Sequence, residues 1–250
     1  MELPGFGAAL MRRIVFCSPL TVGQQAKLDQ AQLHYLFDVL RLRTGEKIVG
    51  LDNQGNAYIV QLQAKSSGIC TVLESAGEIG REPTLAISLI LPLLKGDKLD
   101  LTVQKAVELG VGEIVLFAAE RSVVKPAGNL EKRISRLQKI ARDATQQCGR
   151  HRVPLLRGLL GLEEVAGEGP GIFAWERERH LSLRACLEHN PPSGRLGLLI
   201  GPEGGLAAAE VKILTKAGWT PVTLGPRILR AETAAITLLA CTMFAGGEME

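Results

Sequence analysis

Leu198-Leu199-Ile200-Gly201-Pro202-Glu203-Gly204-Gly205-Leu206 is an apolar run that stops abruptly at a Gly/Pro turn. A helical pattern follows at 208–217, so the stretch reads as a buried strand, a tight loop and a helix. A second stretch repeats the design a few residues on. Leu224-Gly225-Pro226-Arg227-Ile228-Leu229-Arg230-Ala231-Glu232-Thr233-Ala234 follows a short apolar run at 221–224 and opens a helix at 231–244. Outward from these loops the same alternation continues. Apolar strand-length runs lie at 85–93, 113–118, 171–175 and 196–200, and helical spacing at 98–109, 130–148, 181–189, 208–217 and 231–244. For the long helix at 130–148, Asn129 is the expected N-cap and Gly149 the stop. Near-continuous apolar strands alternating with helices predict a parallel sheet covered on both faces.

Residues 13–75 are different in kind. Short β-type runs at 14–16, 47–51, 57–62 and 69–73 are separated by Thr44-Gly45, Asp52-Asn53-Gln54-Gly55 and Ser66-Ser67-Gly68. One helical stretch interrupts them at 32–41. The pattern predicts a small β-barrel with one helix. The expected division is an N-terminal extension at 1–10, the barrel domain at 11–75, a linker at 76–83 and an α/β domain at 84–250.

Composition narrows the class. Hydrophobic residues make up 46% and charged residues 22% of 250 positions, as in an ordinary globular protein. No apolar run is long enough to span a membrane, and the start lacks the pattern of a signal peptide. Five scattered cysteines with no CxxC give neither a disulfide framework nor a metal site, so a cytoplasmic location is expected. The formal charge of +3 is unevenly distributed. Residues 131–157 carry eight basic against two acidic side chains, a surplus of six, which leaves −3 for the remainder. A basic helix face formed by Lys132, Arg133, Arg136, Lys139 and Arg142 points to a polyanionic partner. The default reading of such a face, plain solvation, stands beside it.

In open α/β sheets ligands sit beyond the carboxyl ends of the strands, where both glycine loops fall. Neither loop has the Lys-Ser/Thr of a P-loop or the G-x-G-x-x-G of a dinucleotide site. Each supplies backbone amides and carbonyls able to hold an adenine edge or a ribose. A tight turn serving packing alone accounts for either loop singly.

From Arg12 to Ala245 the chain resembles the RsmE family of 16S rRNA uridine-N3 methyltransferases, of the SPOUT class. The resemblance rests on an ordered series of segments. These are Arg12-Arg13, His34 with Val39-Leu40-Arg41, Lys95-Gly96-Asp97-Lys98, Gln104 through Gly110, Arg121-Ser122-Val123-Val124, Gln147-Cys148-Gly149-Arg150, and the two glycine loops. Gln146 departs from a frequent family Glu. The resemblance implies a PUA-like RNA-binding barrel, a SPOUT-type parallel sheet whose C-terminal part forms a trefoil knot, and a homodimer through the knot and last helix. It implies S-adenosylmethionine as cofactor, no metal, and 16S rRNA of the small ribosomal subunit as partner, with methylation at N3 of one uridine, number 1498 in the standard rRNA numbering. The cofactor would be held by Trp175, Leu199, Ile200, Gly201, Gly205, Leu224, Gly225, Ile228 and Leu229. RNA contacts would come from Arg12, Arg13, His34, Arg41, Arg136, Arg142 and Arg150. Arg230 is the expected stabiliser of charge on the uracil oxygens, and Glu203 or Glu232 the base, with a purely structural role for either acid left open. A non-catalytic RNA-binding assembly factor on the same fold is the alternative. Intact glycine loops weigh against it, and calorimetry with S-adenosylmethionine separates the two.

Overall fold

The computed structural model describes residues 11–77, 82–122 and 130–249. The extension at 1–10, positions 78–81 of the expected linker, Val123, Val124 and the Asn129 cap lie outside the described residues. Two compact units result. The first takes Met1–Glu82 together with Thr145–Val153, the second Pro83–Ala144 together with Pro154–Glu250.

In the first unit, β1 (Arg13–Val15), β2 (Gln25–Lys27), β3 (Lys47–Leu51), β4 (Ala57–Leu62) and β5 (Ile69–Ser75) form one sheet in the order β1-β3-β4-β5-β2. β1 runs parallel to β3 and the other pairs are antiparallel. The sheet is open, with β1 and β2 as its edges among the described residues, so the expected barrel is a curled half-barrel. Ile14, Leu36, Ile48, Val60 and Leu62 fill its concave side. Helix α1 (Gln30–Leu33) begins with a reciprocal cap. Gln32 N donates to Asp29 Oδ1 (2.7 Å) and Asp29 N to Gln32 Oε1 (2.8 Å). It runs on as a π-helical turn, His34–Val39, and the next residues bring Arg41 to a left-handed φ of 57°. The segment Thr145–Val153 closes this unit by hydrogen bonds. Val15 N donates to Gln146 Oε1 (2.9 Å), and Val153 N to Asn53 Oδ1 (2.7 Å). Gln146, the departure from the family pattern, thus satisfies an amide of an edge strand.

The second unit contains β6 (Ala86–Pro92), α2 (Lys98–Glu108), β7 (Glu113–Phe117), α3 (Leu130–Cys148), β8 (Leu155–Leu160), α4 (Leu162–Ala166), β9 (Gly171–Ala174), α5 (Leu183–His189), β10 (Arg195–Ile200), α6 (Ala208–Lys216), β11 (Thr220–Val222) and α7 (Ala231–Ala245). The strands form a six-stranded parallel sheet in the order β11-β9-β10-β6-β7-β8. β6, β7 and β8 build outward on one side, and β10, β9 and β11 fill the other. Leu89, Leu91, Leu198 and Leu199 are buried as strands covered on both faces require. Gly171 and Gly197 stand opposite each other on β9 and β10. A Cβ on either would lie 2.4 Å and 2.5 Å from the ring of Trp219, so the glycine pair forms the notch that seats the indole. Trp219 Nε1 donates to the Ala166 carbonyl at 3.3 Å. Strand β8 and helix α4 do not stand out in the sequence. Among the described residues no helix is long and apolar enough to cross a membrane.

Candidate active site at the carboxyl ends of β9, β10 and β11

Three loops leave the carboxyl ends of adjacent strands, residues 175–182 after β9, 201–207 after β10 and 223–230 after β11. Between them lies a cleft of about 560 Å³. The loop after β10 turns on a Gly205 N to Pro202 O bond of 2.8 Å. Gly205 has φ +71°, and a Cβ there would meet Glu176 Oε1 at 2.5 Å. Only glycine fits that turn without displacing the acid. Downstream, the buried Glu210 carboxylate accepts from Ala207 N (2.7 Å) and Glu120 N (2.9 Å), which fixes where α6 begins. The loop after β11 is pinned to the loop after β9 by Thr223 N to Leu181 O (2.9 Å) and Leu183 N to Thr223 O (3.0 Å). Gly225 has φ +110° and faces open space.

Most of the residues singled out in the sequence meet here. Trp175, Ile200, Gly201, Gly205, Leu224, Gly225, Ile228, Leu229, Arg230 and Glu203 all line the cleft. Trp175 carries a buried Nε1 with no hydrogen-bond partner among the described residues. Two expectations need correction. Leu199 does not reach the cleft, because alternation along β10 turns its side chain into the core beside Ile90 and Phe173. Glu232 does not line it either. Its side chain is only 12% exposed, and it lies 3.7 Å from Lys98 Nζ.

Lys98, at the start of α2, was given no role in the sequence. Its ammonium sits 3.6 Å from Glu203 Oε1 as well, so one cation spans both acids. Glu176 and Arg179 are further lining residues that sequence reasoning missed. Glu178 organises their turn. Its Oε1 accepts from the amides of Arg179 (2.9 Å), His180 (2.6 Å) and Leu181 (3.2 Å). The His180 amide above all holds the Glu178 carboxyl below its ordinary range.

The residues expected to touch RNA belong to both units. Arg12, His34 and Arg41 are exposed. His34 Nδ1 donates to Asp38 (2.9 Å), whose other oxygen accepts from Lys65 (2.5 Å). Arg13 is half-buried against Gly149, and Arg142 is half-buried on α3. Arg136 is bound to Asp97 and Asp100. Arg150 is not available to a ligand, and this corrects the expectation. It is 7% exposed and donates to Glu82 through Nε (3.1 Å) and the terminal guanidinium nitrogen (2.7 Å). Burial pushes the Glu82 carboxyl up, but the guanidinium and the amides of His151 and Arg152 outweigh it and hold it below its usual value. Among the described residues no cluster of His, Cys, Asp or Glu could hold a metal ion.

Comparison with known proteins gives this geometry its context. Residues 81–243 match the RNA methyltransferase domain family, and residues 28–74 the RNA methyltransferase PUA domain family. The chain is 32% identical to ribosomal RNA small subunit methyltransferase E of Bacillus subtilis over 85% of its own length and 87% of the relative's. The Synechocystis protein of the same name is also 32% identical, over 91% of this chain and 76% of that one. Among solved structures, the Neisseria gonorrhoeae ribosomal RNA small subunit methyltransferase E, bound to S-adenosyl methionine, superposes with a TM-score of 0.85 at 32% identity, covering 93% of this chain and 97% of that one. A Legionella pneumophila methyltransferase in complex with the same cofactor gives 0.80 at 27% identity, over 94% and 98% of the two chains. The curled N-terminal half-barrel is PUA-like, the six-stranded parallel sheet is SPOUT-like, and the chain belongs to the RsmE family of RNA methyltransferases.

Proposed function

We propose that this chain methylates N3 of one uridine in 16S rRNA of the small ribosomal subunit, using S-adenosylmethionine, and that the uridine is number 1498 in the standard rRNA numbering. The observation that carries the reading is the cleft. It joins three backbone-rich loops to two acids, Glu176 and Glu203, and to the cations Lys98, Arg179, Arg227 and Arg230. The names of the relatives and the ligand of the Neisseria enzyme support the cofactor and the substrate class. The residues present fit such a cofactor. Ile200, Leu224 and Leu229 offer apolar surface to an adenine, Gly225 leaves backbone open, and the orphaned Trp175 Nε1 is a donor without an acceptor.

When bound, the cofactor supplies an electrophilic sulfonium methyl group. The chain must deal with the uracil. Its N3 carries a proton at neutral pH and a lone pair delocalised into two carbonyls. Glu203 lines the cleft and is the residue that takes the N3 proton. Arg230 offers its guanidinium to O2 or O4, where negative charge accumulates as the proton leaves. Glu232, outside the lining, holds Lys98. The nucleotide must leave its stack to enter. The cofactor loops belong to a trefoil knot, and two copies of the chain join through α7. In support of the dimer, α7 exposes Phe244 at 69%, and Ile228 in the preceding loop is 85% exposed.

The test has two parts. Mass mapping of 16S rRNA from cells lacking the protein is expected to lose one N3-methyluridine, restored by the intact chain. Arg230→Ala is expected to keep S-adenosylmethionine affinity within a few-fold and to abolish restoration. Full restoration by Arg230→Ala removes this residue from the mechanism. An unchanged rRNA in the deletion removes the function.

A further inference from the structure

The loop after β9 presents a cation with no acid to neutralise it. Arg179 lines the cleft and is exposed. Among the described residues it bonds to its own neighbour: Nη1 donates to the Glu178 carbonyl at 3.4 Å, while its amide donates to the Glu178 carboxylate. Arg227, on the loop after β11, lines the same cleft and is also exposed. Among the described residues neither guanidinium forms an ion pair. The acids nearby are engaged otherwise: Glu203 with Lys98, and Glu176 with Arg177 at 3.9 Å.

The turn that carries Arg179 is built firmly. Glu178 collects three consecutive amides on one oxygen. Trp175 N donates to Val222 O at 3.0 Å at one end of the loop, and Thr223 N to Leu181 O at 2.9 Å at the other. A guanidinium on a backbone fixed in this way has less ordering entropy to lose when it meets an anion.

We infer that Arg179 and Arg227 form a phosphate grip that holds the RNA backbone beside the nucleotide in the cleft. This rests on the function proposed above. Two anions could satisfy these groups: an RNA phosphodiester or the carboxylate of the cofactor's amino-acid end. The phosphodiester is favoured on number and position. One carboxylate is satisfied by one bidentate arginine. Two unneutralised arginines on separate loops, both open to solvent, offer one contact each to two phosphates of a strand crossing the cleft. Neither would read sequence; both would fix the strand's register.

The experiment uses the full chain with Arg179→Ala and Arg179→Lys. Cofactor affinity is read by calorimetry with S-adenosylmethionine alone. RNA affinity is read with small ribosomal subunits at several salt concentrations and no methyl donor. For Arg179→Ala, cofactor affinity is expected to stay within two-fold, while RNA affinity falls several-fold. The slope of log affinity against log salt is expected to shrink by roughly 0.7 to 1, the share of one phosphate contact. KM rises by a larger factor than kcat falls. Arg179→Lys keeps the salt slope and recovers part of the affinity. An unchanged slope overturns the grip, as does a loss of cofactor affinity equal to the loss of RNA affinity, which makes Arg179 a carboxylate anchor. If the unaltered chain fails to bind the subunit at all, the proposed function fails with it. If it binds and methylates but Arg179→Ala behaves the same, only the grip fails.

Discussion

Lys98 Nζ stands between two carboxylates, 3.6 Å from Glu203 and 3.7 Å from Glu232. The side chains are partly exposed, so each pair adds no more than about 1 kcal/mol to stability. On the proposed chemistry the effect is larger, because the same cation lies against the Glu203 carboxylate at the cleft. Lys98→Met is therefore expected to change unfolding free energy by about 1 kcal/mol or less and to lower kcat at least ten-fold, with Lys98→Arg recovering part of it. Thermal unfolding beside single-turnover methyl transfer checks this, and an unaltered kcat in Lys98→Met sinks it. Glu82 makes the opposite case, strong for stability and absent from the cleft's lining. Its folded carboxyl is held below the unfolded value of about 4.3, so its contribution is present above that pH and is lost as pH falls through the folded value. Glu82→Gln removes the carboxylate that faces the buried Arg150, at a cost of about 3 kcal/mol near neutrality, and flattens the acid limb of the stability profile. Urea titrations from pH 7 down to pH 3 read both; a variant as stable as the parent at pH 7 contradicts the account.

At the scale of the element, packing decides what the amino acids can announce. The Gly171–Gly197 notch under Trp219 belongs to two neighbouring strands at once. Gly197→Ala is expected to destabilise by about 1–3 kcal/mol through overpacking against the indole. A lowered midpoint in thermal unfolding is the expected result, and an unchanged one argues that the ring has room to move. Strands buried on both faces, such as β6 and β10, were legible as unbroken apolar runs. β8 was not, because it is an edge strand with Arg157 and Gly158 in its middle. Arg157 is drawn to Glu113 and Glu168, which only the fold brings near. β2 is Gln-Ala-Lys, polar by sequence, and is a strand only by pairing with β5. The glycine loops were readable because Gly and Pro interrupt apolar runs. Lys98 and Arg179 were not, since Lys98 comes to the cleft from the first turn of α2 and Arg179 from the loop after β9, each far in sequence from the glycine loops.

For the molecule as a whole, charge and apolar surface carry different information. Much of the basic surplus in residues 131–157 is engaged within the fold. Arg136 meets Asp97 and Asp100, Arg157 meets Glu113 and Glu168, Arg150 meets Glu82, and Arg133 donates to the Leu94 carbonyl. Counting charges along the chain overstated what is left for a polyanion, because the acidic partners lie far off in sequence. Phe244, exposed on α7, is the apolar surface that the proposed dimer would bury. Phe244→Asp is expected to give a monomer of half the parent's mass in analytical ultracentrifugation, and an unshifted sedimentation coefficient would refute assembly through that face.

The first unit takes its last segment, Thr145–Val153, from beyond β6 and β7, beginning in the last turn of α3. During synthesis this has a consequence in time. When the nascent chain has delivered β5, the amide of Val15 still lacks Gln146, and Asn53 lacks the amide of Val153. At about 5–20 residues per second, the ribosome needs several more seconds to supply them. The half-barrel that emerges first is thus completed late, after two strands of the second sheet have been translated. A fragment cut at Glu82 would display that unfinished edge permanently.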